Sequence, residues 1–269
     1  MKQSLLAILS SLLMLGQLTA VEIIAHRGAS YDAPENTVAA IKLAWEQGAD
    51  GSEFDVYLSS DQQIVVIHDK DTKRTGGGSA GGNVKLVAKS TLAELQQLDF
   101  GLWKDPKYRN ERIPTIADMF ATVPTGKKVY VEVKCGPEIV PALDKALTAS
   151  KLKPEQTPVI AFDANVIAEL KKVRPDVPAY WLVSLNKKDS PPPSVESVIA
   201  KAREIKADGL DLSATAELDD AYAKAIHNAK LPLYVWTVNK PDVARRMIKL
   251  GVAGITTDRP QWLREQLAK

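Results

Sequence analysis

Short apolar runs of strand length recur along the chain, each followed by a stretch whose apolar positions have helical spacing. The strand-like runs lie at 22–27 (EIIAHR), 52–57 (SEFDVY), 128–134 (KVYVEVK), 157–162 (TPVIAF), 179–184 (AYWLVS), 208–213 (DGLDLS), 232–238 (PLYVWTV) and 252–257 (VAGITT). Helical patterns fill the gaps at 37–47, 138–149, 163–173, 194–206, 217–229, 240–249 and 260–268. Strands buried on both faces read as near-continuous apolar runs, and their alternation with helices implies parallel strands joined by helical crossovers. Eight such units in about 250 residues predict an α/β fold, a TIM (β/α)8 barrel. A doubly wound open sheet is the alternative, but no GxGxxG follows the first run, so its dinucleotide-binding form lacks the usual signature.

One segment breaks the rhythm. The gap between the second and third runs is several times longer than the others and contains IVVIHD, TGGGSAGG, STLAELQQLDFG and RIPTIADMF. Only RIPTIADMF is needed as the second barrel helix. The remainder, about 69–113, reads as a small insertion on the loop face, where barrels keep their chemistry. The glycines at 76–78 and 81–82 are not followed by the Lys-Ser/Thr of a phosphate-binding P-loop and read as a loop tip. SPPPS at 190–194 reads as a stiff connector into a helix.

The first twenty residues follow a different grammar. A single cation, Lys2, precedes an apolar run from Leu5 to Leu15, with small residues near Ala20 and no acid anywhere in the segment. That is the layout of a secretory signal peptide, and the run is shorter than the ~20 apolar residues of a membrane span. The expectation is a single mature domain, 21–269, exported to a periplasmic or extracellular space. Leu18 is bulky for the position three before the cut. Formal charge is +2 for the 269 residues, so a chain without Lys2 carries +1. A balance so close to neutral argues against non-specific binding to nucleic acid or to an anionic membrane. The single cysteine, Cys135, excludes an intrachain disulfide.

Against this apolar background, several polar residues sit where a covered strand should be apolar. In SEFDVY, Glu53 and Asp55 are two apart and share a face. In VYVEVK, Glu132 and Lys134 share a face, with Val131 and Val133 opposite. His26 shares a face with Ile24, and Arg27 stands where the first strand gives way to its loop. All lie toward C-terminal strand ends, the catalytic face of a barrel. A lone Glu–Lys pair would read as a salt bridge. Three carboxylates converging on one mouth with one lysine leave negative charge over, and burying unbalanced charge costs several kcal/mol. A hard divalent cation held by Glu53, Asp55 and Glu132 resolves that imbalance. Of the three histidines, His26 ends the first strand, His68 ends the apolar run IVVI, and His227 reads as a helix-surface residue. Imidazole suits proton transfer near neutral pH. Magnesium or calcium, preferring oxygen, would leave both site histidines free, whereas zinc would recruit them. In Pro34-Glu35-Asn36-Thr37, Asn36 or Thr37 reads as a helix N-cap.

His26-Arg27-Gly28, Pro34-Glu35-Asn36-Thr37, GADGSEFDVYLSSDQQIVVIHD at 48–69, VEVK at 131–134, YVWTVN at 234–239 and GITTDRP at 254–260 together resemble the glycerophosphodiester phosphodiesterase family. The resemblance spans essentially the whole of 21–269, including STLAEL and RIPTI of the insertion. It implies a TIM barrel that hydrolyses glycerophosphodiesters to sn-glycerol 3-phosphate and an alcohol with a divalent cation, Mg2+ or Ca2+. By motif position it implies His26 and His68 as the catalytic pair and Glu53, Asp55 and Glu132 as metal ligands. It further implies Arg27 and Lys134 beside the phosphate, Trp236 near the glycerol, and Glu35 behind the site at the helix entrance, orienting either His26 or Arg27. Ser52 departs from the family's usual aliphatic residue before the glutamate; by alternation it faces away from the site. The nucleophile is left open between water and the substrate's own 2-hydroxyl, which would give a cyclic phosphate. Two other readings remain: a phospholipase-D-like lyase acting on lysolipids or sphingolipids, which a loop disulfide would favour and one cysteine cannot provide, and an exported phosphate-ester binding protein.

Overall fold

The computed structural model describes residues 21–77, 83–186 and 191–269. The leader expected at 1–20 and the loop glycines 78, 81 and 82 lie outside the described residues.

All eight apolar runs become strands of one closed parallel barrel: β1 (Glu22–Ala25), β2 (Gly51–Leu58), β4 (Lys128–Val133), β5 (Val159–Ala161), β6 (Ala179–Val183), β7 (Gly209–Ser213), β8 (Leu233–Trp236) and β9 (Gly254–Thr257). β1 pairs in parallel with both β2 and β9, which closes the ring. The expected helices follow in turn: α1 (Val38–Glu46), α3 (Ile116–Phe120), α4 (Val140–Ser150), α5 (Ala164–Val173), α6 (Val195–Glu204), α7 (Asp220–Asn228), α8 (Pro241–Lys249) and α9 (Pro260–Leu267). Their starts are set by local chemistry. Thr37, Ser194 and Asp219 cap α1, α6 and α7 by accepting a backbone N–H, and Thr115 with Asp118 forms a reciprocal capping box on α3. The main core lies between barrel and helices, where Val131, Val133, Leu212, Val235 and Ile255 meet Leu143, Ile167, Ile226, Met247 and Leu263.

Inside the barrel the N-terminal end is plugged by aromatic rings. Tyr180 stacks on Tyr234 with centroids 4.8 Å apart, and Tyr130 lies 5.8 Å from Tyr234. Each ring lies over a glycine on the neighbouring strand. A Cβ at Gly51 would meet Tyr130 at 2.9 Å, at Gly209 Tyr180 at 3.0 Å, and at Gly254 Tyr234 at 2.6 Å. Large and small residues therefore alternate around one layer, as the narrow interior of an eight-stranded barrel demands. Glu22 finishes the plug, accepting from the Tyr130 hydroxyl at 2.6 Å and pairing with Lys128.

The insertion begins earlier than its composition suggests. β3 (Ile64–Val66) returns antiparallel along β2, pairing Val56 with Val66, Tyr57 with Val65 and Leu58 with Ile64. β4 pairs with β2 only as far as Val56, so without β3 the last residues of β2 would carry unpaired backbone groups. Beyond β3, the helical turn α2 (Leu92–Leu95) and its flanks enclose a satellite core of Val65, Ile67, Val87, Leu95, Phe100 and Ile113. This small core anchors the residues directly after β3, which include His68.

Substituting Gly254 by Ala drives a methyl group into the Tyr234 ring and against Ile24. Overpacking of this kind costs about 1–3 kcal/mol. The expected result is a matching fall in the chemical denaturation midpoint of Gly254→Ala; an unchanged midpoint would contradict the tight layer.

Candidate active site

The turn after β1 is made by two residues in the left-handed region, Arg27 at φ 54° and Gly28 at φ 79°. Gly28 is obligatory, because a Cβ there would lie 2.5 Å from the Ala40 carbonyl carbon. Arg27 carries a side chain in a conformation that L residues avoid, at a modest cost in strain. The turn aims the Arg27 backbone N–H at Glu53 Oε2, 2.9 Å away, and its guanidinium at Glu35 Oε1 (2.8 Å) and Asp55 Oδ2 (3.1 Å). Asn36, also left-handed at φ 59°, is not the helix cap; that is Thr37. Asn36 instead grips Asp55 twice, donating from Nδ2 to Oδ2 at 2.8 Å and accepting the Asp55 backbone N–H at 3.1 Å. Ser52 faces the opposite way and is fully buried, its hydroxyl turned to the Ala25 carbonyl.

Glu53, Asp55 and Glu132 converge as the alternation implied, offering carboxylate oxygens within 4.8 Å of one another, all buried. Lys134 lies beside them, 2.6 Å from Glu132 Oε1 and 3.5 Å from Asp55 Oδ1. Two cations, Arg27 and Lys134, thus face three acids. The consequence shows in proton affinities. Burial, reinforced by Asp55 and Glu132, pushes Glu53 well above the ordinary carboxylate range. Burial and Asp55 push Glu132 up to about 7. Burial acts on Asp55 too, but Arg27 and Lys134 outweigh it and hold that group below its usual value. Glu53 Oε1 and Asp55 Oδ1 are buried without a hydrogen-bond partner among the described residues. Orphaned, repelling, all-oxygen donors fit a hard divalent cation, and Glu53, Asp55 and Glu132 are the residues that could hold it.

The two histidines arrive from different segments and each is braced by an aspartate. His26 donates from Nδ1 to Asp258 Oδ1 at 2.6 Å, and Asp258 is fixed in turn by Asn239 and Ser30. His68 donates from Nδ1 to Asp69 Oδ1 at 2.7 Å. In both cases the brace engages Nδ1 and leaves Nε2 for proton exchange. Burial, only partly offset by Asp55, lowers the proton affinity of His68 and keeps it neutral at neutral pH. Arg74 of the insertion ties the two halves together, bonding Asp69 Oδ2 through Nε at 2.7 Å and Glu35 through both terminal nitrogens at 2.6 and 2.9 Å. Glu35 therefore sits between two arginines rather than beside a histidine. His227 is on the outer surface of α7, bonded to the Leu250 carbonyl and remote from the barrel mouth.

Both site histidines, Arg27, Glu53, Glu132, Lys134 and Trp236 line one cavity of about 100 Å³ inside the barrel mouth. It opens beside a wider cleft of about 720 Å³, walled by Tyr57, His68, Asp69, Arg74 and Lys134. One side of the small cavity is apolar: Ile160, Leu182, Phe162 and Trp236, with the last two rings edge to face at 5.4 Å. Sequence reasoning missed Phe162, Asp211, Asp258, Asp69, Arg74 and Asn36. DGLDLS did carry a signal, since Asp211 interrupts an apolar strand as Glu53 does, but a single acid gives no hint of its partners.

The charge arrangement makes a prediction about the metal-free protein. Glu132 binds its proton more tightly folded than unfolded, so its contribution favours folding most at low pH. That contribution is lost as pH rises from about 4.5 to about 7. Glu53 shifts in the same direction, while Asp55 acts oppositely but only at pH near or below its usual 3.8. With a chelator present, the melting temperature should fall from pH 5 to pH 7.5. Added divalent cation should raise it more at pH 7.5 than at pH 5, and Glu132→Gln should flatten the chelated profile. A pH-independent response to the cation would contradict the repulsion.

Comparison with known proteins bears on the fold and the family. The chain matches the model of the glycerophosphoryl diester phosphodiesterase family over residues 26–262. It is 33% identical over 247 residues to a glycerophosphodiester phosphodiesterase of Caldanaerobacter subterraneus, covering 90% of this chain and 95% of that protein. Among solved structures, an Oleispira antarctica phosphodiesterase in complex with its product sn-glycerol-3-phosphate superposes with a TM-score of 0.81 at 27% identity, over 92% of this chain and 97% of the other. A Thermotoga maritima glycerophosphodiester phosphodiesterase gives a TM-score of 0.72 at 25% identity, over 92% and 98%. With the barrel, the carboxylate cluster and the match across residues 26–262 all in agreement, the chain belongs to the glycerophosphoryl diester phosphodiesterase family.

Proposed function

We propose that this protein hydrolyses glycerophosphodiesters to sn-glycerol 3-phosphate and an alcohol, with a divalent cation, Mg2+ or Ca2+, and proton transfer by His26 and His68. One observation carries the reading: two aspartate-braced histidines from separate segments line the same cavity as the carboxylate cluster and the cations Arg27 and Lys134. The family match and the product named in the Oleispira structure support the substrate class.

Held by Glu53, Asp55 and Glu132, the cation would supply concentrated positive charge for a phosphate oxygen. The chain's own residues account for the rest. Arg27, fixed between Glu35 and Asp55, presents a rigid guanidinium to the phosphate, and Lys134 adds a point charge. Displacement at phosphorus needs a base on one side and an acid on the other, and histidines on different segments can flank the group. His68, neutral at neutral pH, suits the base; His26, held by Asp258, serves opposite. The same pair can serve either nucleophile, water or the glycerol 2-hydroxyl. A binding protein would need no second braced histidine.

Chelation should abolish turnover of glycerophosphocholine and magnesium or calcium should restore it. His26→Ala and His68→Ala should each lower kcat by at least ~100-fold with the fold intact, the usual worth of acid–base assistance. His227→Ala should leave kcat unchanged. Loss on His227→Ala, or none on His68→Ala, would sink the assignment.

We infer that the chain is exported and trimmed near Ala20, on the strength of the leader pattern in residues 1–20. No described helix is long and apolar enough to cross a membrane. Intact-mass measurement on protein from its native source should give a chain starting near Val21; one retaining Met1 to Ala20 would overturn export.

A further inference from the structure

Asp211 is neither one of the clustered carboxylates nor a brace for either histidine, and it is unusual for where it sits. On β7, Gly209, Asp211 and Ser213 share the inward face. Gly209 belongs to the tyrosine layer that plugs the barrel, so Asp211 is one step nearer the mouth, on the floor of the small cavity. The register places it beside Leu182 on β6 and Tyr234 on β8. It is only 3% exposed, and its Oδ1 has no hydrogen-bond partner among the described residues. Lying next to apolar Leu182 and Ile160, an apolar side chain at this position would avoid the desolvation of an unpaired carboxyl. The group is also outside the metal cluster, which comprises Glu53, Asp55 and Glu132 alone among the described residues.

What remains is a ligand. The cavity above Asp211 has Arg27, Lys134, both histidines and the carboxylates Glu53 and Glu132 as its charged part and the Phe162–Trp236 wall as its apolar one, and Trp236 is itself pinned by its indole N–H to the Asp211 carbonyl at 3.2 Å. The charged side suits a phosphate, the apolar side suits a short carbon chain, and a lone carboxyl at the bottom suits a hydroxyl on that chain. A carboxyl oxygen accepts from a hydroxyl, and a protonated one also donates to it. We propose that Asp211 is a specificity-determining residue that hydrogen-bonds a glycerol hydroxyl of the retained phosphate ester, selecting polyol esters over plain alkyl ones. This rests on the phosphodiesterase reading above for the identity of the polyol. The selectivity follows from asymmetry: an alkyl chain would leave the buried carboxyl unpaired, and sites built to bond a hydroxyl reject analogues lacking it strongly.

Binding decides the matter without turnover. By calorimetry with magnesium present, sn-glycerol 3-phosphate is compared with propyl phosphate, which has the same charge and carbon count but neither hydroxyl. The wild-type protein should prefer sn-glycerol 3-phosphate by at least ~10-fold, the worth of one well-made buried hydrogen bond. Asp211→Leu should erase the preference mainly by weakening the glycerol ligand. Asp211→Asn, whose amide both donates and accepts, should keep part of it. If the Leu variant does not fold, Asp211→Ala carries the same comparison. No preference in the wild type, a preference that survives Asp211→Leu, or an equal loss for both ligands would each overturn the proposal. Glycerophosphocholine turnover is scored separately: its absence would sink the enzymatic reading, while the ligand comparison still decides Asp211.

Discussion

The mutual repulsion of three buried carboxylates organises this molecule. Glu53, Asp55 and Glu132 are brought within 4.8 Å on adjacent parallel strands, and each neighbour of the cluster can be understood as a response to it. Arg27 adopts a left-handed backbone so that its N–H reaches Glu53 while its guanidinium reaches Asp55. Asn36 does likewise to grip Asp55 from two sides. Lys134 follows the same inward face as Glu132 and bridges it to Asp55. Even so, Glu53 Oε1 has no hydrogen-bond partner among the described residues, and Glu53 and Glu132 hold their protons tightly, a repulsion that a divalent cation at the cluster would relieve.

The barrel separates this polar mouth from an inert base. At the N-terminal end, three tyrosines packed over three glycines fill the interior, and Glu22 closes it with Lys128 and the Tyr130 hydroxyl. One inward step toward the strand C-termini, the same alternation delivers Glu53, Glu132 and Asp211. The base is rigid because its layer tolerates no added atom. That rigidity sets the height of the acids above it, and positioning to within fractions of an ångström is what catalytic constellations require.

The insertion supplies what the barrel cannot. Its first strand uses the unpaired end of β2, and its satellite core anchors the segment that brings His68, braced by Asp69, to the cavity that His26 also lines. Arg74 then joins Asp69 to Glu35 and, through it, to Arg27. A continuous line of charge-assisted hydrogen bonds runs from the brace of His68 to Arg27, so the insertion and the first loop are positioned together.

Period-two alternation and strand count were local properties, and they sufficed for the barrel, for the shared face of Glu53 and Asp55, and for that of Glu132 and Lys134. The ordered motifs carried His26, Arg27 and His68 as well. What the sequence by itself could not determine were partnerships between distant residues. Asp258 braces His26 from 232 positions away, and Asn36 is a carboxylate clamp where its local signal read equally well as a helix cap. The start of the insertion was set by the reach of β4 along β2, which no pattern within either strand encodes. Asp211 stood in plain view as a polar residue in an apolar strand, yet only closure of the ring put its carboxyl beneath the Phe162–Trp236 wall. Alternation fixes which way a side chain points; ring closure and loop packing decide what it meets there.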